Sequence, residues 1–289
     1  MTCCTPRAPA GPDPFPATSS YVYRRGVRSL TAAPASLGAA ALALCLWLPT
    51  GCKREPVTDN PSTHHYTDKE AALASFEEPE RDAWAKPAEV VEVLAIDPRS
   101  DVADLGAGSG YFTRRLATAA PQGTTYAVDV DADFKGYIEA HRDRWATPNI
   151  VTRLAVYEHP LLPEESVDLV FISNTYSYLS DREDYFDKVH MALRPGGRLA
   201  VIDWREQVDC PRGIDCPKPG ERIAPSVARE ELERVGFYVL EEHEFLSYQY
   251  FMVLGRVQDQ QAEEQAPEPA PAPSETPADP AVAPTNELP

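Results

Sequence analysis

Residues 101–117 read DVADLGAGSGYFTRRLA. A short apolar run, VADL, breaks into glycines at positions 106, 108 and 110 and then into a helical pattern from Tyr111. A glycine turn between a strand and a helix lets backbone approach a nucleotide closely. The spacing is not that of a dinucleotide site, which needs its third glycine one place later. Asp104 also stands two residues ahead of the first glycine. A carboxylate at a strand tip repels pyrophosphate and attracts an ammonium group. A second acid, Asp129, closes the next apolar run, TTYAVDVD, 19 residues beyond Gly110. That is near the separation at which an acid takes ribose hydroxyls. The pair of acids fits a ligand with a zwitterionic amino-acid end and a nucleoside end.

Outward from this loop, apolar strands alternate with helices. NIVTRLAV, VDLVFISN and RLAVIDW read as further buried strands, and ADFKGYIEAHRDRWA, SDREDYFDKVHMALRPGG and SVAREELERVG as helices. Ser180 and Glu183 have the spacing of a capping box, and Pro195-Gly196-Gly197 stops the helix that follows. Upstream, DKEAALASFEEPERDAWAKPAEVVEVLAI reads as helices broken at Pro79 and Pro87. FYVLEEHEFL and YQYFMVLGRV close as two last strands. The pattern predicts an α/β fold: a Rossmann-like, doubly wound, seven-stranded, mostly parallel sheet with an antiparallel edge strand.

Four segments, VADLGAGSGYFTRRLA, YAVDVD, LPEESVDLVFISN and LRPGGRLAVIDW, resemble the class I S-adenosylmethionine-dependent methyltransferases in order and spacing. The resemblance implies S-adenosyl-L-methionine as cofactor and methyl transfer as the reaction. It places Asp104 and the stretch Gly106, Ala107, Gly108, Ser109 and Gly110 at the methionine end of the cofactor. Asp129 would take both ribose hydroxyls and Val130 would cover one face of the adenine. Glu158 would stand near the adenine amino group, although LAVYEHP departs from the family's usual Gly-Asp-Ala type of sequence here. Asn174 would lie beside the sulfonium, unless it only caps the turn after its strand. Asn174 and Tyr176 are then the candidate catalytic residues, orienting the acceptor. Relatives of this subgroup often carry histidines just after the tyrosine, where this chain has Ser177 and Tyr178. His141 and His190 fall in helices. Two other readings share the sheet: a binding module without turnover, and an NAD-dependent oxidoreductase.

The chain has 289 residues and a formal charge of −18. That balance opposes a nucleic-acid partner, whose binding needs Lys and Arg to displace counterions. The expected acceptor is a small molecule or a lipid-borne group. Residues 1–51 read as a lipoprotein-type signal: Arg24, Arg25 and Arg28 precede the apolar run Leu37–Leu48, and small residues lead to Cys52. The resemblance to a bacterial lipobox implies a lipidated Cys52, a membrane anchor and a periplasm-facing location. An uncleaved N-terminal anchor is the other reading. A linker (52–65), the folded domain (66–257) and a disordered Pro/Ala/Glu tail (258–289) follow. Within the domain only Cys210 and Cys216 occur, as a close pair in a Pro/Gly loop. Outside the cytoplasm such a pair is most simply a disulfide, with half of a zinc site as the rival.

Overall fold

The computed structural model describes residues 66–214 and 216–264. The signal segment, Cys52, the linker to residue 65 and the tail from residue 265 lie outside the described residues. The strands are β1 (Val102–Leu105), β2 (Thr125–Asp129), β3 (Ile150–Leu154), β4 (Val167–Ser173), β5 (Leu193–Trp204), β6 (Phe237–His243) and β7 (Gln249–Arg256). They form one sheet in the order β3-β2-β1-β4-β5-β7-β6. β3, β2, β1, β4 and β5 pair in parallel, and β7 pairs antiparallel with both β5 and β6. The last two strands thus make the antiparallel edge that the sequence pattern predicts. Strand order reverses between β1 and β4, so a crevice opens beyond their carboxyl ends.

Helices are α1 (Lys69–Phe76), α2 (Arg81–Ala85), α3 (Pro87–Leu94), α4 (Thr113–Ala119), α5 (Ala132–His141), α6 (Arg182–Ala192), α7 (Pro225–Arg234) and α8 (Val257–Glu264). Pro87 occupies the first turn of α3, where its missing N–H costs no hydrogen bond. Among the described residues, no helix is long and apolar enough to cross a membrane.

The central strands are buried on both faces, as a sheet covered by helices requires. One face carries Val102, Leu169, Phe171, Ala200, Ile202, Phe251 and Val253 against Val90 and Leu94 of α3 and Leu116 of α4. Strand periodicity puts Asp104, Ser173, Trp204 and Gln249 on this same face at its upper end.

Three local expectations are corrected. Ser180 and Glu183 form no capping box: Asp181 is the N-cap of α6 without a side-chain bond, and Glu183 is drawn to Arg234. Pro195-Gly196-Gly197 does not separate helix from strand. β5 already begins at Leu193 opposite Val167, and the ladder slips before Arg198 meets Leu169. The folded part also runs past residue 257, because α8 continues to Glu264 and Asp259 pairs with Arg256 at its start.

α6 is fastened to α7 through Arg182, which donates to both carboxylate oxygens of Glu231 at 2.6 Å, with side chains 18% and 12% exposed. Glu231→Ala would strand this guanidinium, and we expect a loss of about 2–4 kcal/mol in urea unfolding. Glu183→Ala, whose pair with Arg234 is half exposed, should change stability by less than about 1 kcal/mol.

Candidate functional site

The glycine loop leaves β1 and turns back under the tip of β2. The Gly106 and Ala107 amides both donate to the Val128 carbonyl, at 2.9 and 3.1 Å. Gly108 N–H donates to Asp129 Oδ2 at 2.8 Å, and Gly110 N–H returns to the Ala107 carbonyl. These amides are committed to the fold and do not form an empty anion nest. Gly106, Gly108 and Gly110 all have positive φ. A Cβ on Gly106 would also lie 2.7 Å from Thr175 Cγ2, so glycine is required twice over.

Asp129 is 8% exposed, and its second oxygen accepts from the Asp131 amide at 2.9 Å. A carboxylate has about four lone-pair positions, so acceptor capacity remains for a hydroxyl donor. Val130 beside it is exposed, as a cover for a planar ring would be. Asp104 is 3% exposed and accepts from the Thr113 hydroxyl, which α4 brings beneath the loop. Burial pushes its carboxyl up to about 7. Ser109 is buried, and its hydroxyl donates to Glu77 Oε1 at 2.6 Å, so only its backbone is free to border a ligand.

The segment before β1 supplies a wall that sequence reading missed. Glu77, the C-cap of α1, also accepts a bidentate pair of bonds from Arg114 at 2.8 Å. Phe76 packs 3.3 Å from where a Gly108 Cβ would be, in a cluster with Tyr66 and Phe134. Arg81 lies with its guanidinium 3.9 Å from the Tyr111 ring centre, within electrostatic range of Asp104 and Glu77. Burial lowers its pKa to about 10, which leaves it charged at neutral pH. Arg81 Nε is buried and has no hydrogen-bond partner among the described residues. An arginine just after Pro79-Glu80 had no motif to flag it.

At the tip of β4, Asn174 takes a left-handed φ of 55° and accepts from Gln249 Nε2 at 2.6 Å. It is therefore tied to β7 as well as turning the chain. Ser173 Oγ and Gln249 Oε1 are buried without hydrogen-bond partners among the described residues. Trp84, Trp204 and Tyr248 gather on this side, with Trp84 5.4 Å from Trp204 and 6.4 Å from Tyr248. Tyr176 is placed differently from its expected role. It is fully buried, stacked on Phe186, with its hydroxyl donating to Glu231 Oε2 at 2.8 Å. The one-turn helix Tyr176–Tyr178 rotates it inward, so it supports the cleft from behind.

Glu158 follows the third strand. It is exposed on a tight turn bridged between Val156 and His159, while its half-buried neighbour Tyr157 senses the charges of Asp129, Asp131 and Lys69. Lys69 bonds Asp131, which links α1 to the β2 tip. His141 stacks on Tyr137 at 4.0 Å, and His190 packs against Phe237, so both serve packing. Among the described residues, no cluster of metal-ligating side chains occurs. Cys210 and Cys216 sit at disulfide distance, with Cα atoms 6.5 Å apart.

Comparison with known proteins agrees with this geometry. Residues 103–199 match the family model described as a methyltransferase domain. The fold is that of the class I methyltransferases. A crystal structure of a SAM-dependent methyltransferase from Aquifex aeolicus superimposes with a TM-score of 0.60 at 22% identity, covering 65% of this chain and 98% of that one. The malonyl-[acyl-carrier protein] O-methyltransferase of Hahella chejuensis is 35% identical over 101 residues, 34% of each chain. An arsenite methyltransferase of Halobacterium salinarum is 28% identical over 110 residues, 38% of this chain and 28% of its own. The chain thus spans about a third of the length of these curated relatives.

Burial also raises Asp203 to about 6. Both acids have native pKa values above the ordinary ~3.9, so the native state holds more protons than the unfolded chain. Stability of the ligand-free protein should then fall as pH rises from about 4 to about 7, and level off above. Asp104→Asn is expected to flatten most of that slope and to gain about 1–4 kcal/mol at pH 8 relative to the parent. Urea melts at pH 5 and pH 8 give the comparison, and an unchanged slope would contradict the buried-acid assignment.

Proposed function

We propose that residues 66–257 bind S-adenosylmethionine and transfer its methyl group to a small-molecule or lipid-borne acceptor. The observation that carries this reading is the electrostatic proximity of Asp104 and Arg81 beside the glycine loop, with Arg81 over the Tyr111 ring. A buried acid and a half-buried arginine, whose buried Nε–H has no partner among the described residues, complement the ammonium and carboxylate of one α-amino acid. Asp129 retains acceptor capacity for the ribose, with Val130 and Tyr157 beside it. When bound, the cofactor supplies a methyl group on a positively charged sulfur. Loop amides already spent on Val128 and Asp129 offer a pyrophosphate little, which disfavours the nicotinamide reading.

The chain's own contribution to the reaction is positioning. In-line displacement needs nucleophile, methyl and sulfur on one axis, and oriented reactants alone can account for much of the acceleration. Asn174, locked by Gln249, presents its amide at the β4 tip. The unpartnered Ser173 hydroxyl and Gln249 carbonyl offer a polar acceptor its hydrogen bonds. Trp84, Trp204 and Tyr248 provide an apolar aromatic wall, which suits a flat or acyl-bearing molecule. The acidic chain, with no basic stripe interleaved with aromatics, makes nucleic acid a poor acceptor.

Calorimetry with S-adenosylmethionine, its demethylated product and NAD tests the cofactor. We expect binding of the first two only, and a loss of about 2–4 kcal/mol for Asp129→Ala and for Arg81→Leu. Equal affinity in both mutants would reject the site. With an acceptor in hand, Asn174→Ala should lower kcat far more than it weakens cofactor binding. Full turnover in that mutant would remove Asn174 from the reaction, whereas cofactor binding without turnover on any acceptor would favour the binding module.

We also propose that the mature chain begins at a lipidated Cys52 facing away from the cytoplasm. The arginines before the apolar run and the small residues before Cys52 support it. Cys52→Ser should accumulate the unprocessed precursor and abolish incorporation of labelled fatty acid. Unchanged size and labelling would favour an uncleaved anchor.

A further inference from the structure

Between β5 and α7 the chain makes a long excursion, residues 205–224, around one buried side chain. Arg222 is 6% exposed. Its Nε donates to the Pro217 carbonyl at 2.7 Å, and Nη1 to the carbonyls of Arg205 (2.9 Å) and Val208. Nη2 contacts Cys210 Sγ at 2.9 Å and Cys216 Sγ at 3.4 Å. A guanidinium has five N–H bonds, and these five partners use them all. Each partner is neutral. A buried cation normally requires an anion, because neutral acceptors recover only part of its lost hydration. The two groups nearest Nη2 are the ones that can become anionic, since reduction converts a disulfide sulfur into a thiol and then a thiolate.

The geometry points to Cys210 and Cys216 as a reducible thiol–disulfide site, activated by Arg222, for exchange with low-molecular-weight thiols. Both cysteines are half-buried and so partly open to an incoming thiol. Attack on Cys216 Sγ breaks the intramolecular S–S bond and forms a mixed disulfide there. Cys210 Sγ, closer to Arg222, leaves with the electron pair as a thiolate. A second external thiolate then takes the first sulfur, releasing a small-molecule disulfide and Cys216. In sum, the protein disulfide and two thiols give one small disulfide, one protein thiol, one protein thiolate and a proton. A neighbouring guanidinium lowers a thiol's pKa and makes it the better leaving group.

The end of the excursion is connected to the crevice. Ile223 N–H donates to Ser177 Oγ at 3.2 Å, and Ser177 N–H donates to Asp203 Oδ2 at 2.7 Å. Ser177 follows Tyr176 in the turn beyond β4, so the state of the disulfide bears on the chain that borders Asn174. The inference does not depend on the cofactor assignment, since Arg222 and the cysteines lie outside that site.

The test uses the full chain, reduced with dithiothreitol and pulsed with iodoacetamide across pH 5–10, with Cys210 and Cys216 resolved by peptide mass spectrometry. We expect Cys210 to alkylate with a midpoint about one pH unit or more below the ~8.5 of free cysteine, and Cys216 with a higher one. A parallel titration in glutathione buffers should show Arg222→Gln about tenfold harder to reduce than the parent, with Arg222→Lys in between. If Arg222→Gln does not fold, the profile of the unmodified sequence still decides. A Cys210 midpoint at or above that of free cysteine overturns the proposal.

Discussion

The bond from Gly108 N–H to Asp129 Oδ2 joins the two strand tips on which the site depends. With the Gly106 and Ala107 amides on the Val128 carbonyl, it closes the glycine loop against β2. That closure sets the three positive φ angles, brings Thr113 under Asp104, and holds Asp129 with its remaining lone pairs outward. It also consumes the donors through which such loops commonly bind phosphate. A loop that has spent the Gly106, Ala107, Gly108 and Gly110 amides depends largely on side chains for recognition, and the side chains on hand are an acid and an arginine.

Those side chains come from opposite ends of the sheet's logic. Asp104 belongs to β1 and is buried by the fold itself. Arg81 arrives from α2, on a segment held down by Glu77, which bonds Ser109 and Arg114 together. Lys69 on Asp131 and Phe76 over Gly108 fasten α1 to the same place. The helices before β1 therefore act as a wall of the crevice. Their stability and the shape of the site are coupled, because the contacts that order one define the other.

On the far side of β4 the arrangement changes from recognition to support. Tyr176, Arg182 and Glu231 make an interior network that fastens the turn after β4 to α7. Asp203 takes the Ser177 amide, and Ser177 takes that of Ile223, so the excursion around Arg222 is tied back to the same turn. Most polar groups buried on this face bond one another, although the buried Tyr250 hydroxyl beside Asp203 has no partner among the described residues. On the opposite face Ser173 Oγ and Gln249 Oε1 have no hydrogen-bond partner among the described residues, beside the aromatic wall.

Much of this was legible in the sequence because it depends on short-range pattern. Apolar runs of strand length, helices between most of them, and acids at the ends of two strands determined the sheet, its parallel core and the positions of Asp104, Gly106, Gly108, Gly110 and Asp129. Local signals failed where a distant charge outbid them: Glu183 left the capping position for Arg234, and Asp259 with Arg256 carried a helix into a polar tail. Only the tertiary structure decided which way side chains turn at the strand tips. Tyr176 follows β4 like Asn174, yet a one-turn helix sends it inward while Gln249, 75 residues on, holds Asn174 in place. Arg81 and Arg222 were likewise invisible, because an arginine's role is set by which of its five N–H bonds finds a partner. That is a property of long-range packing, which no local stretch of sequence encodes.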